Sequence, residues 1–97
     1  MASSYKPAGF PSVSVYIMAK DARAVIEFVT TVFGATPERR FDDPDGRIMH
    51  AEMRIEDSVV MLAEANADWP AFPSWIHVYV PDVDATYQRA LAAEGRM

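Results

Sequence analysis

The stretch Arg47 to Ala63, RIMHAEMRIEDSVVMLA, constrains the fold more than any other part of the chain. Apolar and polar residues alternate on both sides of one interruption, Glu56-Asp57. Successive side chains of a strand point to opposite faces, so this alternation separates an apolar face from a polar one. It predicts two strands joined by a tight turn. Met49, Ala51, Met53 and Ile55 then share one face of the first strand, and Ile48, His50, Glu52 and Arg54 the other. With Ile55 opposite Ser58, the register sets Arg54 against Val59, Glu52 against Met61 and His50 against Ala63. A helix must cover the apolar face. The polar face, carrying His50, Glu52, Arg54, Val59, Met61 and Ala63, is where function should be sought.

The flanking segments supply the helix. Residues 1–11 are small, polar and proline-containing, and read as a loose arm. Val13 to Met18 reads as a strand, with Val13, Val15 and Ile17 on one face and Ser14, Tyr16 and Met18 on the other. Asp21 is a good N-cap, because its carboxylate can accept from the free amides of the next turn. Ala22, Val25, Ile26, Val29 and Phe33 then recur at helical spacing, and Gly34 stands where a helix end favours a left-handed residue. Thr36 to Asp42 reads as an edge strand, with Pro37 near its start. Asp43-Pro44-Asp45-Gly46 is a turn. The order through Ala63 is βαβββ, an α+β arrangement.

Glu64 to Ser74 breaks both periodicities and reads as a linker. Trp75 to Val80 alternates again, with Trp75, His77 and Tyr79 opposite Ile76, Val78 and Val80. Asp82 is an N-cap, with Asp84 beside it in the same role. Val83, Tyr87, Ala90, Leu91 and Glu94 follow at helical spacing, and Gly95 is a C-cap candidate. The two strand–helix units superpose at one offset: Tyr16 on His77, Asp21 on Asp82, Ile26 on Tyr87, Gly34 on Gly95. The expectation is a single domain over 1–97, made of a first module (12–63), a linker (64–74) and a partial second module (75–95). A full duplicate would need three more strands, on the order of thirty residues. Either the chain is truncated, or a short protein completes its sheet by dimerising.

Composition narrows the partners. The 97 residues carry a formal charge of −5 and a pI near 4.8, which argues against nucleic acid and anionic membrane surfaces. There is no cysteine, hence no disulfide, thiolate metal site or cysteine nucleophile. The N-terminus lacks the basic-then-apolar pattern of a secretory signal, so a cytoplasmic location is expected.

A duplicated βαβββ unit resembles the vicinal oxygen chelate superfamily, which includes glyoxalase I, bleomycin-resistance proteins and extradiol dioxygenases. Three blocks carry the resemblance, which is nearest to the PhnB-like glyoxalase-related branch: AVIEFVTTVFGA (24–35), PDGRIMHAEMRIEDSVVMLAE (44–64) and WIHVYVPDVDATYQRALAAEG (75–95). It implies paired modules curled into a cup-shaped mixed sheet, helices outside. The helix-facing positions would be Val13, Val15, Ile17, Met49, Ala51, Met53, Ile55, Ile76, Val78 and Val80. Ser14, Tyr16, Met18, His50, Glu52, Arg54, Met61, Trp75, His77 and Tyr79 would line the cup.

Metal-dependent members of the family use His, Glu or Gln ligands on the first, fourth, fifth and eighth strands. The matching positions here are Ser14, Met61 and Trp75, and the eighth strand is absent. None is a good ligand for a divalent ion. The expectation is therefore no metal cofactor and no usual metal site. The protein would bind a small hydrophobic or aromatic molecule through Tyr16, His50, Glu52, Arg54, Met61, Trp75, His77 and Tyr79, as a homodimer. Tyr16, Trp75 and Tyr79 would either stack on such a ligand or fill the cavity and seam. His50 and Glu52 are the catalytic candidates, as general base and its orienting partner. Their plainer role is a hydrogen-bonded pair, with Arg54 balancing Glu52. The alternative function is a divalent-metal lyase, isomerase or dioxygenase with a displaced His50/Glu52/His77 site. Phe10, Trp69 and Phe72 lie in loops that would close the cup's mouth or pack on a neighbour, and Glu64 reads as solvated.

Overall fold

The computed structural model describes residues 5–94. The elements are β1 (Val15–Ala19), α1 (Ala22–Phe33), β2 (Thr36–Asp42), β3 (Ile48–Ile55), β4 (Ser58–Glu64) and α2 (Val83–Glu94). The strands form one mixed sheet in the order β1-β4-β3-β2. β1 runs parallel to β4, and the other pairs are antiparallel. This is the α+β module the alternation implies. The hairpin register is also as expected, with Ile55 opposite Ser58, Arg54 opposite Val59 and Glu52 opposite Met61.

The crossover helix α1 is pinned at both ends. The Asp21 carboxylate accepts from the Ala24 amide at 3.1 Å. Glu64, expected to be solvated, instead accepts from the Ala22 amide at 3.0 Å. The parallel β1–β4 pairing sets Glu64 opposite Ala19, next to the start of α1, where a negative charge meets unpaired amides. At the other end Gly34 takes φ 69°. There its amide donates to the Thr30 carbonyl and that of Ala35 to the Val29 carbonyl. Val29 and Val32 are buried, and Val25, Ile26, Phe28 and Phe33 pack with Val29 against Ala51, Met53, Val60 and Leu62 of the sheet.

Two irregularities in the β2–β3 pairing change which side chains are buried. Phe41 pairs with His50 but Asp42 with Ile48, so Met49 is an extra residue on β3. Such a bulge shifts the alternation by one step. Ile48, expected beside His50, therefore joins the core at 1 % exposure, while Met49, expected in the core, is 59 % exposed. A second shift makes Glu38 the extra residue between Pro37 and Arg39, at a strand edge where a proline is tolerated. β1 also starts later than expected. Val13 lies outside it and is exposed, and Ile17 and Ala19 are the residues of β1 that reach the core.

Trp75 to Val80 is not a strand: no described segment pairs with it. Alternation marks a segment able to pair, but a ladder needs a second partner edge. Asp82 caps α2 as expected, accepting from the Ala85 amide at 3.0 Å. α2 packs on α1, and the Arg89 guanidinium donates to the Val32 carbonyl at 3.2 Å. The stripe read at helical spacing divides: Val83, Tyr87 and Leu91 face outward, while Ala90 turns inward with Thr86 and Ala93. α1 already occupies the helix side of the sheet, so α2 meets only the flank of another helix, where small residues allow close approach. Gly95 lies outside the described residues.

Leu62 is fully buried where β4 meets α1. Leu62→Ala should lower the unfolding free energy by about 3 kcal/mol, from lost transfer energy plus the residual cavity. Urea denaturation measures it, and a loss below about 1 kcal/mol would mean the core does not close over this position.

Candidate functional site

The sheet face away from α1 carries a continuous polar chain. Across the strands, Tyr16 pairs with Met61, Met61 with Glu52, and Glu52 with Arg39. His50 follows two residues before Glu52 on the same side of β3. The Tyr16 hydroxyl lies 3.0 Å from His50 Nδ1. His50 Nε2 lies 2.8 Å from Glu52 Oε2. The Arg39 guanidinium donates to both Glu52 oxygens at 3.4 and 3.5 Å. The His50 ring sits between the rings of Tyr16 and Phe41, with centroids 5.6 and 6.3 Å away, and the Arg39 guanidinium lies over Phe41 at 5.7 Å.

Glu52 is 2 % exposed, yet all its needs are met. Burial pushes its carboxyl upward, but the hydrogen bonds from His50 and Arg39, with their charge, outweigh burial and hold it below the ordinary carboxylate value. An ionised carboxylate only accepts, so Nε2 of His50 carries the proton it shares with Glu52. In the neutral ring Nδ1 is then an acceptor, and the Tyr16 hydroxyl donates to it. When the ring is neutral, this network sets both the tautomer and the direction of the phenol proton.

Arg54 does not balance Glu52. It donates to Glu38 at 2.8 Å and lies over the Phe10 ring at 5.7 Å. Arg39 takes that role because the β2–β3 register sets it directly opposite Glu52. Arg39 and Phe41 were missed from the sequence. The signal available was the matching charge and alternation of β2, but using it needs the register of a bulged pair.

The N-terminal arm is also part of the site. Phe10 donates its amide to the Pro7 carbonyl, closing a turn that brings the arm over the sheet. Tyr5, Lys6, Pro7, Phe10, Pro11 and Ser12 enclose a cleft of about 350 Å³ with Ser14, Arg39, Glu52 and Met61. The structure brings Tyr16, His50, Glu52 and Met61 to one face, with Glu52, Met61 and Phe10 lining the cleft and Arg54 held by Glu38 beside Phe10. It does not bring Trp75, His77 or Tyr79 to them. Trp75 is fully exposed. His77 and Tyr79 stack edge to face at 4.7 Å and line a second cleft, of about 380 Å³, between the hairpin turn and Val13–Val15.

The residues at the family's metal positions do not fit a divalent ion. Ser14 and Met61 meet in the first cleft, offering a hydroxyl and a thioether, and Trp75 stands apart. His77 is separated from His50 and Glu52. Among the described residues, no three His, Cys, Asp or Glu side chains are grouped to hold a metal.

Comparison with known proteins supplies the context. The model of the glyoxalase/bleomycin resistance protein/dioxygenase superfamily matches residues 11–97. An uncharacterized protein of Mycobacterium bovis is 36% identical over 97 residues, covering 86% of this chain and 62% of its own length. One from Mycobacterium tuberculosis strain H37Rv is 36% identical and covered over 55%. The chain therefore spans little more than half the length of these curated relatives. Among solved structures, TioX from Micromonospora sp. ML1 is 24% identical with a TM-score of 0.57, covering 86% of this chain and 70% of that one. The fosfomycin resistance protein FosX from Listeria monocytogenes is 14% identical with a TM-score of 0.66, covering 87% and 68%. A mutant FosX from that organism was crystallised with Mn(II) and a dihydroxypropylphosphonic acid. At these identities the structures establish likeness of fold. No described helix is long and apolar enough to cross a membrane.

The depressed carboxyl of Glu52 links stability to pH. Its folded pKa lies below the unfolded value, about 4.3 for an ordinary glutamate. The stabilisation is complete above that value and is lost as pH falls through the folded pKa. Glu52→Gln should flatten the fall in stability between about pH 5 and pH 3 relative to the parent. Glu38 and Asp42, also held low by arginine partners, are present in both proteins, so the difference isolates Glu52. Urea midpoints across that range measure it, and parallel curves would refute the linkage.

Proposed function

The chain belongs to the glyoxalase/bleomycin resistance protein/dioxygenase superfamily, and within it we propose that this protein binds a small hydrophobic or aromatic molecule on the Tyr16–His50–Glu52 face without using the family's metal. The observation that carries this reading is the cleft under the arm. It combines apolar walls from Phe10 and Met61 with a buried, fully paired carboxylate and an arginine at the floor. A mostly apolar concavity with a few fixed polar groups is what small-molecule recognition requires. Ser14 and Met61, at the family's metal positions, supply a small hydroxyl and an apolar thioether in place of imidazole or carboxylate ligands. The Tyr16 and Phe41 rings, both half-exposed, extend the site as an aromatic shelf.

The same reading includes a homodimer. Val83, Tyr87 and Leu91 form an exposed apolar stripe on α2, and Trp75, Ile76 and Tyr79 add further exposed apolar surface. An apolar patch of this kind marks an interaction surface. A second copy of the chain is the partner proposed here, with the unpaired 75–80 segment serving as the strand of a partial second module.

Native mass spectrometry of protein purified without chelators or a metal-affinity tag tests both parts. The expected result is a metal-free dimer, with any retained small-molecule mass identifying the ligand class. One metal per chain, lost in His50→Ala, would overturn the metal-free reading in favour of a divalent-metal enzyme. A folded monomer that persists as concentration is raised would overturn the dimer.

A further inference from the structure

The first cleft has a floor that the sheet fixes and a wall that it does not. Ser14, Arg39, Glu52 and Met61 stand on the sheet side, and the rest of the lining, between Tyr5 and Ser12, belongs to the arm. Among the described residues, no strand pairs with 5–12. A segment outside every ladder is placed by its turns and side chains. Gly9 takes φ 82°, and the Phe10 amide donates to the Pro7 carbonyl at 3.2 Å. These features shape the turn without tying it to the sheet.

A tie to the sheet runs through Arg54. Its guanidinium lies over the Phe10 ring at 5.7 Å. Gly9 comes close as well, since a Cβ there would meet an Arg54 guanidinium nitrogen at 3.7 Å. The same guanidinium donates through Nε to Glu38 at 2.8 Å, and the two side chains are 24% and 29% exposed. One edge is thus held by a carboxylate while a face is left for a ring, which a planar cation allows and an ammonium does not. The strand register explains why Glu38 is there. Pro37 pairs with Met53 and Arg39 with Glu52, so Glu38 is passed over. In an unbroken register Glu38 would stand opposite Glu52, carboxylate against carboxylate. The shift gives each its own arginine, Arg39 for Glu52 and Arg54 for Glu38. Arg54 itself does not line the cleft. It stands behind the wall.

We propose that Arg54, clamped by Glu38, is a positioning residue that latches the arm through Phe10, and that the arm is a releasable wall of the cleft. The wall's part in binding rests on the reading of this cleft as a small-molecule site; the latch does not. A cation–π contact at a partly exposed site shifts an equilibrium by only a few-fold. The arm therefore exchanges between latched and released states, and the latched one presents the enclosed cleft. The apparent dissociation constant of a ligand seated against the arm is the intrinsic one divided by the latched fraction. By linkage, such a ligand also holds the arm down.

The test uses the full chain labelled with nitrogen-15, with 2-naphthol as the probe. The backbone heteronuclear NOE at Gly9, Phe10 and Ser12 reads the arm, and the same measure over β2, β3 and β4 checks the fold. In the parent the arm values should approach those of the strands. Arg54→Met keeps the apolar stem but removes the guanidinium, so the arm values should fall while the strand values hold. Phe10→Leu removes the ring and should do the same, and the double variant should loosen the arm no further than either single one. Arg54→Lys keeps a charge for Glu38 without the planar face, and should resemble Arg54→Met. An arm as ordered in Arg54→Lys as in the parent would overturn the stacked latch. The Kd for 2-naphthol, read from amide shifts, should rise about 3-fold or more in Arg54→Met. Equal arm values in the parent and Arg54→Met would overturn the latch. A released arm with an unchanged Kd would overturn the wall. No binding of 2-naphthol by the parent, with arm values that still fall in Arg54→Met, would overturn the small-molecule reading and leave the latch standing.

Discussion

A carboxylate taken out of water has to be paired, and Glu52 is the residue around which this requirement organises the open face of the sheet. An unpaired buried carboxylate would cost several kcal/mol or give up its charge. Here it receives His50 from its own strand and Arg39 from the strand opposite, and no buried side-chain polar atom among the described residues is left without a partner. The pairing works only because three registers agree. β3–β4 sets Glu52 beside Met61, β1–β4 sets Tyr16 beside Met61, and β2–β3 sets Arg39 beside Glu52. A slip of one residue in any of them would send a member of the chain to the helix side. The site is thus a consequence of strand order and register, and α1 makes that order possible by carrying the chain from β1 across the sheet to β2 at the opposite edge.

The hairpin was legible in the sequence because its two strands alternate and its turn is short, so one assumption about the turn fixed every pair. The caps of α1 and α2 were legible for a similarly local reason: Asp21, Gly34 and Asp82 act within a few residues of where they stand. What failed was whatever depended on a partner distant in sequence. The bulge at Met49 is a property of the β2–β3 pair, and it exchanges Ile48 and Met49 between faces without any mark on β3 itself. Glu64 reads as a surface residue until β1 and β4 are aligned, and only then does it sit at the start of α1.

The candidate site divides the same way. His50, Glu52 and Met61 were placed together by the hairpin alone, and Tyr16 joined them once the face of β1 was assigned. Phe10 was legible as a residue of the mouth, but Arg39, Phe41 and the rest of the arm were not found, because their contribution comes from a bulged edge strand and from a proline-containing segment with no periodicity to follow. The family resemblance implies that Trp75, His77 and Tyr79 line the cup, and their alternating pattern puts them on one face. The pattern is real, but alternation describes how side chains would be arranged if the segment paired, and nothing among the described residues pairs with it.

The second helix extends that distinction. Its sequence carries two stripes, the large Val83, Tyr87 and Leu91 and the small Thr86, Ala90 and Ala93, and the small one packs against α1. Periodicity identifies the large stripe as apolar without saying what covers it. If α2 had only to close this module, the large residues would be on the inner side, where their area would contribute most. Their outward placement, with an unpaired alternating segment just before them, gives both parts of 75–94 the same unmet need for an apolar surface with a strand edge. The first module meets such a need by laying α1 across β1, β3 and β4. The proposed homodimer would answer that need, since a second strand–helix unit of matching pattern is what each copy of the chain has to offer the other.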